Sequence, residues 1–319
     1  MQMSDNAAQI VKPIDNNNLI KRLIKYRVHF LVLLPTLIFF AVFSYAPMYG
    51  VILAFKDFNL GAGIIKSPWV DPLLKHFNRM FSSSVFINAM RNTLIISSLK
   101  IFLAFPLPII FAILIDEMPF KILKKSVQTI SYFPYFISWI VLGGIIRAML
   151  SPTNGVINYI IVFFGGTARH LLADKNFFKP LVFITHVWQT VGYSSVVYLA
   201  AIANIDQEQY DAAYIDGASR FNVIRHITIP SITPIMSILF ILGLGGILNA
   251  GFDQIFNLYS PVVYSTADII DTYTYRVGLV DMQFSFSTAV GLFKNVIGFI
   301  LVLSANLIIG RIDKEKSLF

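Results

Sequence analysis

The stretch DAAYIDGASRFNVIRHITIP, residues 211–230, is the longest segment in the second half of the chain that could not lie within a lipid bilayer. It contains two adjacent alanines, a glycine, two arginines and a closing proline. The segments on either side of it are almost wholly apolar. The sequence therefore predicts a compact, small-residue connection in water between two apolar segments.

The composition of the whole chain indicates an integral membrane protein. Of its 319 residues, 56% are hydrophobic and only 13% are charged, whereas an ordinary soluble domain carries about a quarter charged residues. The net charge of +8 is interpreted as a signal of membrane orientation, since no basic helix or aromatic-basic module for nucleic acid occurs. The absence of cysteine excludes a disulfide framework, a thiolate metal site and a cysteine nucleophile.

Six apolar segments are long enough to cross a bilayer as helices, since a crossing needs about 20 mostly apolar residues. A further apolar run, 156–164, is too short to cross alone and is interpreted as an interfacial or re-entrant piece. The predicted spans form a transmembrane domain over residues 28–310, and they are 28–55, 91–115, 133–150, 180–203, 231–252 and 286–310.

Lysine and arginine in the connecting segments predict the orientation. They are more numerous on the side that holds both termini, so the tails 1–27 and 311–319 are expected to be cytoplasmic, with the N-terminal cluster weighing most. The positive residues on that side are Lys12, Lys21, Arg22, Lys25, Arg27, Lys121, Lys124, Lys125, Arg220, Arg225, Arg311, Lys314 and Lys316.

The connection between the predicted fourth and fifth spans, about residues 205–230, has the signals of a short capped helix. Asp206 can accept from the first exposed amides, and Gln209 follows at the spacing of a capping box. Glu208 and Asp211 place negative charge in the first turns, where the helix dipole favours it. Such a helix suits docking into a groove on another protein, although a surface helix lying on the membrane has the same pattern.

The end of this connection is also marked in the sequence. Ala212 and Ala213 leave one face nearly bare, and Gly217 can end or bend the helix because glycine accepts the left-handed conformation. A second amphipathic segment then leads to Pro230, which is expected to mark the entry to the fifth span.

This connection resembles the EAA loop of importer permeases in the ATP-binding cassette (ABC) family. The usual form of that loop is Glu-Ala-Ala, three residues, Gly, nine residues, Ile, one residue, Leu-Pro. Here Asp replaces Glu and Ile replaces Leu, and the spacing matches throughout. The matching positions are Asp211, Ala212, Ala213, Gly217, Ile227, Ile229 and Pro230. Looser similarity to permeases for oligosaccharides and polysaccharides covers 43–59, 86–97 and 132–143.

The resemblance implies an all-α, six-span permease with the type I importer fold and a cytoplasmic coupling helix between spans four and five. It implies a bacterial inner-membrane protein that imports an oligo- or polysaccharide, with alginate as one candidate cargo, by alternating access. The residues expected to couple it to an ATPase are Glu208, Asp211, Ala212, Ala213, Gly217, Ile227 and Pro230.

The same resemblance implies several partners. They are a second permease, two ATP-binding subunits that carry ATP and Mg²⁺, and an extracytoplasmic solute-binding protein. The chain itself contains no Gly-Lys pair, and the Walker-A phosphate loop requires one, so no cofactor is expected on it. No catalytic or metal-binding residue is expected either.

Polar residues inside apolar spans are costly and mark candidate substrate contacts. Amide, carboxylate and aromatic groups suit sugars, and Lys294 would attract an acidic one. Asn249 and Asp253, four residues apart, are expected to share one helix face. The candidates are Trp188, Gln189, Tyr193, Asn249, Asp253, Lys294 and Asn295.

Other polar residues have ordinary structural interpretations. His186 is interpreted as a hydrogen-bonded interior histidine, and Lys100 and Arg147 as snorkelling or paired cations. Asp268, Asp271 and Arg276 lie in the predicted last outer loop and are interpreted as ordinary solvated residues, with contact to a docked binding protein as the alternative.

Two other classes of function stay open at this point. An ion-coupled secondary transporter should show inverted repeats with broken helices, and no convincing repeat is present. A membrane-embedded enzyme should show clustered catalytic groups, and neither HExxH nor GxSxG occurs.

Overall fold

A computed structural model describes residues 26–312 of the chain. The regular secondary structure within this range is helical, with one isolated bridge between Lys56 and Trp69. The chain divides into two compact units, residues 1–52 and 53–319. The predicted cytoplasmic tails fall mainly on residues 1–25 and 313–319, which lie outside the described residues.

The first unit contains most of helix α1, Arg27–Phe55. The run RVHFLVLLPTLIFF at its start is apolar on all sides, and none of its side chains is buried. A π-helical turn at Ala41–Tyr45 interrupts the α-helical hydrogen-bonding pattern. A helix that is apolar all round is typical of a membrane span.

The second unit contains eleven further helices of six residues or more within the described range. Short helical turns connect them at Gly63–Lys66, Phe133–Phe136, Leu171–Ala173, Pro261–Val263 and Tyr264–Ala267. The helices are α2 Lys75–Ser82, α3 Ser84–Asp116, α4 Lys121–Tyr132, α5 Trp139–Met149, α6 Val156–Phe163, α7 Lys175–Ala203, α8 Gln207–Ile215, α9 Arg220–Gly245, α10 Phe252–Leu258, α11 Ile270–Tyr275 and α12 Phe284–Ile312.

Four of the described helices, α1, α3, α9 and α12, are long and apolar enough to cross a membrane. The segment Lys121–Phe136 and helix α5 pass the same test together but are bent by 99° at their junction, and counting them as one span gives five. Helix α7 has 29 residues, yet its polar side chains reduce its hydropathy. The all-helical membrane fold is confirmed, while the count of six spans stays a prediction.

Two predicted spans differ from the helices observed. The third, 133–150, is not one straight helix, because a short helical turn and a sharp bend precede α5. The fifth does not begin at Pro230: helix α9 starts ten residues earlier, at Arg220. A π-helical turn at Ile224–Thr228 comes directly before the proline, and such local adjustments let membrane helices absorb a residue without an amide hydrogen.

Helix α9 also ends earlier than expected, at Gly245. Gly251 has φ +95°, in the left-handed region, and helix α10 begins after it. Asn249 therefore lies in the connection and Asp253 in the first turn of α10, so the prediction that they share one helix face is wrong. The glycines of LGLGGILNAG explain the break, since glycine is a poor helix former and adopts left-handed backbone readily.

Helices α3, α7 and α9 pack around one apolar cluster near the end of α7. Ile109 and Ala112 of α3, Tyr198 and Ile202 of α7, and Ile232 of α9 are all buried there. Helix α3 reaches this cluster through a π-helical turn at Leu99–Ala104. This wide turn contains Lys100, the one charged residue in the middle of α3.

Buried polar side chains hold the irregular segment between α9 and α12. The amide of Asn92 donates to the carbonyl of Asp268 at 3.1 Å, and the hydroxyl of Thr93 accepts from the amide of Ile270 at 2.8 Å. Gln254 donates to the carbonyl of Val182 at 2.7 Å. Non-helical backbone at the depth of a bilayer needs such internal partners because lipid offers none.

Candidate functional site

Helix α8 begins with a side-chain cap. The carboxylate of Asp206 accepts from the amide of Glu208 at 3.0 Å, which satisfies one of the amides that the first turn leaves unpaired. Gln207 adds a hydrogen bond to the carboxylate of Asp211, four residues further along, at 3.2 Å. The predicted helix start is confirmed at Asp206.

Helix α8 ends through a left-handed glycine. Gly217 has φ +78°, and its amide donates to the carbonyl of Tyr214 at 3.1 Å while the amide of Ala218 donates to Ala213 at 2.9 Å. This pair of bonds is the Schellman pattern of helix ends. Two residues later Ser219 caps α9 by accepting from the amide of Asn222 at 3.4 Å. The two helices are therefore joined by a short, hydrogen-bonded turn.

The surface of α8 is open to solvent in this chain. Asp211 and Ala212 are exposed and Ala213 is half-buried. The apolar side chain of Ile215 is 86% exposed. The neighbouring Tyr214 is 48% exposed, so α8 leaves an uncovered apolar surface at its C-terminal end that is available to a partner.

One side chain connects α8 directly to the base of α9. The hydroxyl of Tyr210 lies 3.1 Å from that of Thr228, and Thr228 is buried. The pKa of Tyr210 is raised above its ordinary value, mainly because burial disfavours the charged phenolate. The hydrogen bond to Thr228 lowers the pKa, and the nearby carboxylates of Asp116 and Glu117 raise it further. The phenol therefore keeps its proton and this bond at neutral pH.

The remaining residues of the matched motif lie at the start of α9. Ile227 is half-buried within the π-helical turn, and Pro230 is exposed just after that turn. The segment 206–230 thus contains the capped helix α8 and the capped start of α9, and we call it the coupling loop after the role that its resemblance implies.

A cavity of about 490 Å³ lies between α3, α7 and α9, within the size range of small-molecule sites. We call it the tyrosine cavity. Its walls are Ser97, Lys100, Ile101, Ala104, Phe105, Pro108, Tyr135, His186, Thr190, Tyr193, Ser194, Val197, Tyr198, Leu239, Phe240, Gly243, Gly246 and Asn249.

Two aromatic rings stack at the edge of this cavity. The rings of Tyr135 and Tyr193 are 3.9 Å apart and inclined by only 8°, and each side chain is 42% exposed. The stack depends on close packing of α7 against the end of α4, where a Cβ on Gly192 would lie 2.2 Å from the carbonyl oxygen of Ser131. Only glycine permits this approach.

Lys100, a cation, and Ser97, whose hydroxyl is unpaired among the described residues, line the same cavity. The ammonium of Lys100 donates to the carbonyl of Ala250 and to the amide oxygen of Gln254, both at 2.7 Å. The hydroxyl of Ser97, one turn earlier in α3, is buried and has no hydrogen-bond partner in the described part of the chain. The cavity therefore offers hydrogen-bond donors on an otherwise apolar wall.

A second cavity of about 460 Å³ lies between α9 and α12. We call it the Lys294 cavity. The ammonium of Lys294 forms an ion pair with Asp271 of α11, so its charge is already compensated within the chain. Its walls are Leu242, Gly245, Gly246, Leu248, Asn249, Lys294, Asn295, Gly298, Phe299 and Val302.

The structure separates the predicted substrate contacts into four groups. Tyr193 lines the tyrosine cavity, Lys294 and Asn295 line the Lys294 cavity, and Asn249 lines both. The others line neither cavity, and they are Trp188, Gln189 and Asp253.

Gln189 differs from an exposed pathway residue because it is buried and donates to the backbone carbonyl of Ile137 at 3.2 Å. Ser97 and Tyr135 were missed by the sequence analysis although both line the tyrosine cavity. A signal for Ser97 existed, since it lies three residues before Lys100 in an apolar run and so shares its helix face.

Several charged side chains form hydrogen bonds or ion pairs within the chain. Arg147 donates to the carbonyl of Asn257 at 2.8 Å, as a paired cation should. Asp268 is buried and pairs with Arg276 at 2.5 Å. The interpretation of Asp268, Asp271 and Arg276 as a solvated loop is therefore wrong, because each forms an ion pair within the chain.

The described residues contain no group of three or more His, Asp or Glu side chains placed to hold a metal ion. Long apolar helices, a largely apolar cavity between them with a few hydrogen-bond donors, and a capped helix in water together define a membrane transport subunit.

The chain belongs to the family of binding-protein-dependent transport system inner membrane components, whose pattern matches residues 104–315. It is the permease subunit of an ABC importer, a multi-pass inner-membrane protein and not an enzyme, and the ATPase resides on separate subunits. The resemblance seen in the sequence is confirmed, and the secondary transporter and the membrane enzyme are excluded.

Two relatives from Bacillus subtilis (strain 168) match nearly the whole chain. The polygalacturonan/rhamnogalacturonan transport system permease protein YteP is 39% identical, over 97% of this chain and 95% of its own. Protein LplB is 40% identical, over 90% of this chain and 89% of its own.

A solved structure has the same fold. It is a chain of a bacterial ABC transporter involved in the import of the acidic polysaccharide alginate, with a TM-score of 0.86 and 38% identity, covering 93% of this chain and 99% of that chain. A second structure of bacterial alginate ABC transporter is in complex with an alginate pentasaccharide-bound periplasmic protein and has a TM-score of 0.85.

Proposed function

We propose that this chain moves an oligo- or polysaccharide inward by alternating access, driven through the coupling loop. Both termini are cytoplasmic in this proposal, which places the coupling loop on the same side. Closure of the ATP-binding subunits pushes α8, and α9 transmits the movement to the cavities between the spans.

The single observation that carries this proposal is the construction of the coupling loop. Helix α8 is capped at Asp206, ends at the left-handed Gly217 and is tied to α9 by the Tyr210–Thr228 bond. A helix with both ends fixed transmits force as a rigid body, whereas a frayed loop would absorb it. Its exposed small and apolar face supplies the surface that a motor subunit needs.

The partners follow from the family and from what the chain lacks. We propose a second, homologous permease, two ATP-binding subunits that hold ATP and Mg²⁺, and an extracytoplasmic solute-binding protein. The bacterial alginate transporter that shares the fold was solved with a ligand-bound periplasmic protein, which supports the last of these.

The cargo that we favour is a uronate-containing saccharide, with alginate or a galacturonan as candidates. The support comes from two sources. One relative is named as a permease for polygalacturonan and rhamnogalacturonan, and the solved transporter that shares the fold is involved in the import of alginate. The tyrosine cavity combines an aromatic stack, which suits the C–H face of a sugar ring, with hydrogen-bond donors for its oxygens.

The coupling role is tested by Gly217→Pro in the complete transporter. Proline cannot adopt φ +78° and cannot donate the bond to Tyr214, so the end of α8 should unfold locally. We expect ATP hydrolysis to continue while saccharide uptake per ATP falls at least about tenfold, since a disordered helix end transmits little movement.

Gly63→Pro is the matched control. Gly63 also has a positive φ, +69°, open space around it and an amide that donates one turn bond, to Asn59 at 3.0 Å. Its variant should keep the normal ratio of uptake to hydrolysis. Normal coupling in Gly217→Pro would refute the proposed role of the loop.

A further inference from the structure

We propose that Lys100 and Ser97 form a subsite for a saccharide carboxylate inside the tyrosine cavity, with Tyr135 and Tyr193 beside it as the surface for the sugar ring. This inference rests on the proposed saccharide import and adds the residues that select a charged cargo over an uncharged one.

The ammonium of Lys100 has a donor to spare. A lysine ammonium carries three N–H groups, and two of them are given to the carbonyl of Ala250 and to Gln254. Both partners are neutral, and Lys100 forms no ion pair with any described residue. A positive charge without a counter-charge in an apolar surrounding is costly, and an anionic ligand would supply the missing partner.

The position of Lys100 is held by its neighbours. Gly251 lies so close that an added Cβ would be 2.8 Å from the ammonium nitrogen. Because Gly251 has a left-handed backbone, the Ala250 carbonyl lies outside a regular helix and can accept from Lys100. Gln254 is fixed in turn by bonds to Val182 at 2.7 Å and to Thr185 at 2.8 Å. The cation is therefore pre-organised at the cavity wall, which reduces the entropy lost on binding.

Ser97 is an independent observation that points to a ligand. It is 2% exposed, lines the cavity, and its hydroxyl has no hydrogen-bond partner among residues 26–312. Buried hydroxyls almost always have a partner. Since Ser97 and Lys100 are three residues apart on one helix, both can donate to the two oxygens of a single carboxylate.

Other charged groups do not compete for this role. Lys294 in the neighbouring cavity is neutralised by Asp271, and Arg147 donates to the backbone of Asn257 away from the tyrosine cavity. Asp253 is exposed and lines neither cavity.

The test compares uptake of trigalacturonate with uptake of its methyl ester by the complete transporter in membrane vesicles, with the binding protein saturated. The ester removes the charge and keeps the sugar, and comparing the acid-to-ester uptake ratio of a variant with that of the wild type cancels the selectivity of the binding protein, which is the same in both. Lys100→Gln should lower this ratio at least about tenfold, because a charge-assisted hydrogen bond is lost. Lys100→Arg should retain most of it.

Arg147→Gln is the matched control, since it removes another cation that is bonded to backbone but lies outside the cavity. Its acid-to-ester ratio should equal that of the wild type. Ser97→Ala should lower the ratio about threefold, and it serves as the deciding variant if Lys100→Gln does not reach the membrane.

The outcomes separate the two proposals. Equal losses of acid and ester uptake in Lys100→Gln, or an unchanged ratio in it and in Ser97→Ala, would overturn the carboxylate subsite alone. If the wild type takes up neither trigalacturonate nor its ester, the same ratio is measured with an alginate trisaccharide and its methyl ester, and failure there too would overturn the uronate cargo as well.

Discussion

Replacing Gly192 by alanine should separate α7 from the end of α4. The new Cβ would lie 2.2 Å from the carbonyl oxygen of Ser131, whereas ordinary contacts begin at 3.4 Å, so the two backbones must move apart by about 1.2 Å. A backbone carbonyl cannot rotate out of the way as a side chain can. The cost should therefore lie at the upper end of the overpacking range, about 3 kcal/mol.

The movement should also affect the tyrosine cavity. Tyr193 follows Gly192 directly, and its ring is stacked on that of Tyr135 at 3.9 Å. A shift of more than an ångström would open this stack and expose both rings further. We expect Gly192→Ala to be both less stable and slower in uptake.

In the assay, the detergent-solubilised protein is heated, and size-exclusion chromatography measures the fraction that remains folded at each temperature. Gly144→Ala is the control, because nothing lies within 4 Å of its added Cβ and alanine favours a helix over glycine by about 0.5–1 kcal/mol. The control should unfold at or above the wild-type temperature, and Gly192→Ala several degrees below it. Equal unfolding temperatures for the two variants would refute the packing argument.

Three further predictions concern the coupling loop and the ion pair between Asp271 and Lys294. Asp206→Ala should cost about 1 kcal/mol of helix stability, seen as faster amide exchange in the first turn of α8; unchanged exchange would contradict the cap. Tyr210→Phe removes the bond to Thr228 and should lower uptake per ATP hydrolysed without changing hydrolysis itself, whereas equal loss of both would assign the residue a folding role. Asp271→Asn leaves Lys294 unpaired and should lower stability by about 1–3 kcal/mol, with Lys294→Gln restoring part of it; a double variant no better than the single one would argue against the pair.

The coupling loop could be predicted from the sequence because its signals are local. A cap, two small residues and a glycine at fixed spacing define a helix and its ends with no need of the rest of the chain. The structure places the start at Asp206 and the left-handed residue at Gly217, as the spacing indicates.

The cavities could not be predicted in the same way, because they depend on contacts between distant segments. Lys100 meets the carbonyl of Ala250, 150 residues away, and that carbonyl is available only because α9 ends at Gly245. A hydropathy count sees one long apolar run from 231 to 252 and does not detect the break. The sequence also makes Lys294 a candidate substrate contact and Lys100 a snorkelling or paired cation, since nothing local shows that Asp271 pairs with Lys294.

The wide turn at Leu99–Ala104 has a consequence for how this helix tolerates change in length. A π-helical turn, with bonds from residue i to i+5, holds one residue more than an α-helical turn over about the same rotation. Removing one residue there would therefore restore ordinary α-helix with every local amide paired, and Phe105, Pro108 and Ala112 would keep about their present directions around the helix axis. In a helix without such a turn, the same deletion would rotate everything after it by about 100°. The wide turn is thus a place where α3 can lose a residue while the cavity wall and the buried cluster stay aligned.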